Sequence, residues 1–251
     1  MKNKDYIMIA FPVILVAGIF IVLFSSWQDV SAQATDGSDQ CAPNRLRPGF
    51  ENTDFCNNNI ESWDEIISGG PPKDGIPAVN DPDMESVEEA SGWLVDRSPV
   101  IAVEIDGEAR AYPQGILMFH EIANDEIAGV PVAVTFCPLC NSSIVFDRTV
   151  DGDVLTFGVS GRLRNSDMVM FDRQTDSWWQ QFTGEGIVGD YTDTLLDIVP
   201  SQVIGFAQFA ERYPDGQVMS RTPRGFNRNP YTNYDQSPQP FLFLGQTDQR
   251  L

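Results

Sequence analysis

The sequence predicts an α+β fold in which β-strands dominate, in a single extracytoplasmic domain behind an N-terminal transmembrane helix. Three observations lead to this prediction. Of the 251 residues, 42% are hydrophobic and 21% are charged, as expected for a globular protein with a sizeable core. Short apolar runs separated by Asp-Gly turns occupy the middle of the chain. A long run without charge lies close to the N-terminus.

The N-terminal apolar run determines the predicted location. Residues 6–24 carry no charge, and as a helix they would span roughly 28 Å, close to the hydrocarbon thickness of a bilayer. Lys2 and Lys4 precede the run, so the positive-inside rule places residues 1–5 in the cytoplasm and the domain outside. We therefore expect a single-pass signal anchor in the cell membrane. The alternative is secretion after cleavage near Ala34, where alanines flank a glutamine.

The net charge of −20 bears on the possible partners. Such a surface repels phosphate backbones, so we expect no binding to nucleic acid. The partners predicted from sequence are the membrane, through the N-terminal helix, and a protein that exchanges electrons or metal with the domain.

Residues 25–60 are predicted to form a linker and lead-in, because Ser, Asp, Asn, Gln and Pro dominate there. Cys41 and Cys56 lie in this stretch. An oxidising compartment favours a disulfide between them, and two unrelated thiols are the alternative. The domain itself is predicted to span residues 61–251.

Turn and periodicity signals predict the elements of the domain in order. Gly-Gly-Pro-Pro ends a first short helix, Asp106-Gly107 joins a hairpin, and Asp151-Gly152 joins another. The predicted helices are 62–67, 86–94 and 202–212, the last capped by Ser201. The predicted strands are 100–105, 108–112, 130–136, 142–148, 154–159 and 168–171, with a polar loop over 162–167 and a surface wrap over 222–251.

One histidine and one Cys-x-x-Cys motif are the residues best suited to chemistry. His120 lies upstream of an apolar strand that ends at Cys137, and Cys140 follows. Two thiolates and an imidazole suit copper or zinc, and three ligands leave one coordination position open. The leading hypothesis is a copper-binding module with these three ligands. Met118, Met168 or Met170 could add a thioether.

Two other interpretations of the cysteine pair remain open. A thiol–disulfide oxidoreductase would use Cys137 as the attacking thiolate and Cys140 as the resolving thiol. A non-catalytic interaction domain would use the pair only to staple a loop, with His120 as a packing residue. The sequence alone leaves open whether the protein is an enzyme.

A series of motifs occurs in order along the chain, at residues 69–77, 109–113, 119–125, 134–140, 157–167, 172–175, 179–181 and 213–216. Together these motifs resemble the DUF3179 family, whose function is unassigned. The resemblance covers roughly residues 62–235 and implies no activity, substrate or cofactor. It implies that His120, Cys137 and Cys140 are the best site candidates, because they fall within distinctive motifs. Family members often run on past the position of Leu251, which leaves open whether the domain is complete.

Overall fold

The computed structural model describes residues 41–221. The predicted anchor at residues 6–24, the cleavage site near Ala34 and the wrap over 222–251 lie outside the described residues. No helix within 41–221 is long and apolar enough to cross a membrane. The predicted class is confirmed for the described part, which is an α+β fold dominated by strands.

The described part of the chain contains short strands and short helices. The helices are α1 (Val87–Ala90), α2 (Gln114–His120) and α3 (Phe206–Arg212), with 3-10 turns at Asn44–Leu46 and Trp63–Glu65. The strands are β1 (Ile66–Ser68), β2 (Val79–Asn80), β3 (Met84–Ser86), β4 (Pro99–Ile105), β5 (Glu108–Pro113), β6 (Ile122–Ile127), β7 (Val130–Cys137), β8 (Ser142–Asp147), β9 (Thr149–Val150), β10 (Asp153–Val154), β11 (Phe157–Arg164), β12 (Asp167–Asp172), β13 (Trp178–Gln180), β14 (Glu185–Val188), β15 (Ile198–Val199), β16 (Ser201–Gly205) and β17 (Gln217–Met219).

Most of these strands belong to three five-stranded sheets. The front sheet has the order β1-β11-β12-β13-β14, the middle sheet β15-β8-β7-β6-β2, and the back sheet β16-β4-β5-β17-β3. Neighbouring strands are antiparallel except for β2 with β6 and β5 with β17. Strands β9 and β10 form a separate small hairpin.

The middle sheet is covered on both faces. Along β7 the side chains alternate: Ala133 packs against the front sheet, whereas Val132 and Val134 pack against the back sheet. The neighbouring strand β8 divides in the same way, with Phe146 in the front core and Val145 in the back core. A strand that is buried on both faces has a nearly continuous apolar sequence, and residues 130–136 have such a sequence.

The outer faces of the other two sheets are also covered. Phe50 and Phe55, from the predicted lead-in, pack edge-to-face against Trp178 of the front sheet. Phe206 and Phe209 of α3 pack on the back sheet. The described part of the chain is therefore layered in this order: the lead-in segment, the front sheet, the middle sheet, the back sheet and the helix α3.

The strongest turn signal in the sequence is confirmed. Strands β4 and β5 form the predicted hairpin, and Asp106 and Gly107 have φ angles of 49° and 86°. Positive φ at both central residues is what a primed two-residue turn requires. The predicted strands at 130–136 and 142–148 correspond to β7 and β8.

All three predicted helices are wrong in extent. The helix predicted over 202–212 begins only at Phe206, because Ser201–Gly205 pairs with β4 as an edge strand and Gly205 is the N-cap. The helix predicted over 62–67 is a 3-10 turn, and its last two residues enter β1. Strand pairing overrides local helix propensity in both places. The helix predicted over 86–94 is reduced to α1, which the Ser86 capping box starts.

The polar stretch 162–167 is not a loop. Its first part continues β11 and its last residue opens β12, so only Asn165 and Ser166 form the turn, both with positive φ. Likewise, Asp151-Gly152 joins the two-residue strands β9 and β10, whereas Phe157 and Val159 belong to β11, which pairs with β12.

The loop of residues 69–77 lies against β11. Gly161, at φ 74°, sits at a register shift of that strand, and a Cβ there would lie 2.1 Å from the Pro71 carbonyl oxygen. Glycine is therefore required for this approach. The contact is fixed by hydrogen bonds from Gly69 N to Gly161 O and from Asp74 N to Val159 O.

The disulfide Cys41–Cys56, favoured by the sequence, is present with a separation of 15 residues. It closes the lead-in segment over the front sheet. We expect the Cys41→Ser/Cys56→Ser double variant to lose about 3 kcal/mol of unfolding free energy, because the unfolded chain regains loop entropy. Urea denaturation measures this loss, and reduced wild-type protein is the matched control. A loss below about 1 kcal/mol would show that the lead-in needs no covalent closure.

Candidate metal centre

The Cys-x-x-Cys motif occupies the hairpin that joins β7 to β8. Cys137 is the last residue of β7 and pairs with Ser142, the first residue of β8. Cys140 lies in the intervening turn, which Asn141 closes at φ 53°. Both cysteines are free thiols, and Cys137 is buried whereas Cys140 is partly exposed. The hairpin therefore places two sulfur atoms at the edge of the core between the front and middle sheets.

A carboxylate from the front sheet joins the two sulfurs. Asp167 opens β12, and its Oδ1 lies 3.2 Å from Cys140 Sγ. One ligand atom from each of Cys137, Cys140 and Asp167 lies within 4.8 Å of the other two. Zinc ligands lie about 2.0–2.3 Å from the ion, so small side-chain rotations would let these atoms share one. The donor set fits a metal ion.

Hydrogen bonds hold the Asp167 carboxylate. Its Oδ2 accepts from the backbone N of Phe182 at 2.9 Å and from the Gln180 side-chain amide. Outer-shell partners of this kind orient a ligand and tune its basicity.

A second polar network supports Cys140. Its Sγ lies 3.1 Å from Ser142 Oγ, which donates to Gln181 Oε1 at 2.6 Å. Gln181 in turn donates to Thr135 Oγ1 on β7 at 2.8 Å. These buried groups are thus paired with one another, as buried polar groups must be.

The two thiols differ in acidity. A hydrogen bond from Cys137 to the Cys140 thiolate lowers the pKa of Cys140, and the same interaction, together with burial, raises the pKa of Cys137. Burial also raises the pKa of Asp167. These directions favour Cys140 as the thiolate, whereas the sequence-based hypothesis gives the role of attacking thiolate to Cys137.

His120 ends α2 next to the cysteine strand. Its Nδ1 lies 2.8 Å from the Pro77 carbonyl oxygen, and the following backbone oxygen, of Glu121, accepts from Phe136 N at 2.8 Å. This hydrogen bond extends the β6–β7 pairing by one step, to the residue that follows His120 and the residue that precedes Cys137. The compact ligand group in the described part contains Asp167 as its third member. A ligand role for His120 stays a prediction.

The three methionines suggested as thioether ligands differ in position. Met168 and Met170 are buried in the core between the front and middle sheets, and Met118 is half-buried near the back core. A thioether ligand also stays a prediction.

Sequence reasoning missed two acidic residues of this region, Asp167 and Glu121. Asp167 was assigned to a solvated loop, yet every residue of β12 is buried. An acidic residue that begins an apolar strand directly after a two-residue turn is the signal that could have found it. Glu121 follows the only histidine of the chain and precedes an apolar residue, Ile122. This position next to His120 is the signal that could have identified it.

Glu121 is a buried carboxyl close to the cluster. It has φ 59° at the C-cap of α2 and lines a cavity of about 70 Å³ with Leu139 and Met168. Burial, and then the charges of Cys140 and Asp167, raise its pKa to about 8. Glu121 is therefore a carboxyl that is largely protonated at neutral pH.

The fold and the site together define a β-rich domain with a buried thiol–carboxylate cluster at the seam of two sheets. The family model of DUF3179, described as a protein of unknown function, matches residues 73–251. The chain belongs to this family. No curated protein and no solved structure matches the chain.

Glu121 makes stability depend on pH. With a folded-state pKa of about 8 against 4.5 ordinarily, the folded protein holds a proton that the unfolded chain releases. The contribution of Glu121 to the unfolding free energy is therefore fully present below pH 4.5 and is lost as the pH rises towards 8, by up to about 1.4 kcal/mol per pH unit. We expect Glu121→Gln to be increasingly more stable than wild type over this window.

Urea denaturation at several pH values measures the difference in unfolding free energy. The control is Glu126→Gln, an exposed carboxyl on β6. A constant difference between Glu121→Gln and wild type from pH 5 to pH 8 would contradict the raised pKa.

Proposed function

We propose that this DUF3179 protein is a membrane-anchored, extracytoplasmic module that binds one transition-metal ion through Cys137, Cys140 and Asp167. The observation that carries the proposal is the convergence of three ligand atoms within 4.8 Å. The uncharged run at residues 6–24 and the preceding lysines support the anchor and its orientation.

The donor set favours zinc over copper. Copper(I) prefers sulfur and imidazole ligands, whereas a carboxylate oxygen is a regular ligand of zinc. With Asp167 as the third ligand, we therefore expect zinc to be the bound ion. Copper remains the ion for a site completed by His120 or a methionine. Electron transfer requires copper, because zinc has no redox chemistry.

Three protein ligands would leave one coordination position for an external molecule. Structural zinc sites have four protein ligands, whereas sites that exchange ligands keep one position open. Cys140 is the partly exposed member of the cluster and lines a groove of about 440 Å³. This supports metal handling, in which the ion is passed to or from a partner, rather than a purely structural role.

Metal content tests this proposal. We expect the full chain, purified in detergent from its membrane without chelators, to hold close to one zinc or copper per molecule. Cys140→Ser and Asp167→Asn should reduce occupancy at least about tenfold, because each removes a ligand atom. Elemental analysis measures the ion.

Glu126→Gln, which changes an exposed carboxyl of the middle sheet, should keep full metal content. Loss of metal in His120→Ala but not in Asp167→Asn would assign the histidine ligand set, and elemental analysis would then show whether the ion is copper or zinc. A chain that holds no metal in any preparation would refute the metal proposal.

The second candidate function is thiol–disulfide exchange. The lowered pKa of Cys140 beside the raised pKa of Cys137 favours it. A nucleophilic thiolate next to a protonated partner is the arrangement that such exchange uses. Cys140 would attack the substrate disulfide, and Cys137 would then resolve the mixed disulfide.

Alkylation of the reduced, metal-free protein tests the acidity of Cys140. We expect iodoacetamide to modify Cys140 well before Cys137, because Cys140 is the more exposed and more acidic thiol. In Cys137→Ala the Cys140 pKa should rise, since its main hydrogen bond is lost, so half-maximal alkylation moves to higher pH. An unchanged pH profile would remove the support for the redox candidate.

A further inference from the structure

An open groove runs past the exposed side of the cluster. Cys140 and Asp167 line it together with Phe182 and Thr183. Its volume is about 440 Å³. A ligand in this groove would reach the coordination position that the three protein ligands leave open.

Phe182 is unusual within the groove wall. Its backbone N–H is bound to Asp167 Oδ2, yet 61% of the residue is exposed to solvent. A large aromatic side chain left in water can serve as a contact residue, because aromatic residues carry much of the binding energy at interfaces. It offers an apolar surface directly beside the candidate ligands.

A second groove of about 610 Å³ adjoins the first and shares Arg164, Asn165 and Glu185 with it. Its lining is mostly acidic. The only cation in that lining is Arg164, and Glu65 holds it in an ion pair at 2.9 Å. The remaining carboxylates of the second groove are Glu61, Glu185 and Asp193. Because this second groove is lined mainly by carboxylates, a positively charged ligand complements it best.

We propose that the two adjoining grooves form one docking site for a basic polypeptide segment that carries a cysteine. The apolar part of the segment contacts Phe182, its cationic side chains face the carboxylates of the second groove, and its sulfur binds the metal. The inference rests on the proposed metal site and names the class of partner for that site.

Binding of the partner cysteine to the ion is an exchange of one ligand for another and needs no oxidant or reductant. The partner thiol releases its proton to solvent, its thiolate forms a bond to the ion, and a bound water leaves. The oxidation state of the ion does not change. A polypeptide suits the site better than a small thiol, because the two grooves together extend well beyond the space around Cys140.

A synthetic peptide tests this docking site. The probe has one cysteine, a neighbouring leucine and three lysines at one end, and its binding to the metal-loaded full chain is measured by fluorescence anisotropy. Two control peptides replace the cysteine by serine or the lysines by glutamates. We expect the probe to bind at least about tenfold more tightly than either control, and more weakly as salt is added.

Variants of the protein locate the site. We expect Phe182→Ala and Glu61→Lys each to weaken binding of the probe about tenfold. The matched controls are Val203→Ala, an exposed apolar residue of the back sheet, and Glu104→Lys, an exposed carboxyl of β4. Both controls should bind the probe within about twofold of wild type.

The outcomes separate the two proposals, because metal content is measured on every sample. A metal-loaded chain for which the groove variants bind like wild type overturns the docking site while the metal site stands. Full competition by a small thiol such as cysteine, without dependence on the lysines, overturns the polypeptide class. A chain without metal overturns the proposed function itself.

Discussion

The architecture depends on a middle sheet that is apolar on both faces. Strand β7 sends alternate side chains into two separate cores, so neither face can be left to water. The front and back sheets satisfy this requirement and in turn expose outer faces of their own. The lead-in segment and the helices cover those faces. The layered order thus follows from the burial of one hydrophobic strand and its neighbours.

The candidate site lies where this layering is interrupted. The β7–β8 hairpin leaves the middle sheet at Cys137, and the front sheet meets it with the first residue of β12, Asp167. A carboxylate at the edge of a core is costly unless it is paired, and here Gln180 and the Phe182 amide pair it. Two sulfurs and a held carboxylate form a donor set with one side towards the groove.

Other motifs that resemble the family build the scaffold instead. Lys73 donates to Asp176 and stacks over Phe50, tying the 69–77 loop to the lead-in and the front sheet. Arg173 forms a bidentate pair with Asp74. A sequence does not show whether a charged residue binds a ligand or forms an ion pair with a neighbouring loop. In this protein the structure shows that both residues form internal ion pairs.

The sequence by itself determined the β-dominant class and the Asp106-Gly107 hairpin, favoured the Cys41–Cys56 disulfide, and singled out Cys137 and Cys140 as candidate site residues. Each of these depends on local turn chemistry, alternation or composition. Only the tertiary structure decided that 201–205 is a strand, that Asp167 joins the cysteines, and that Cys140 is the acidic thiol. The physical reason is that edge pairing, ligand convergence and burial depend on residues far apart in the chain, which no local pattern encodes.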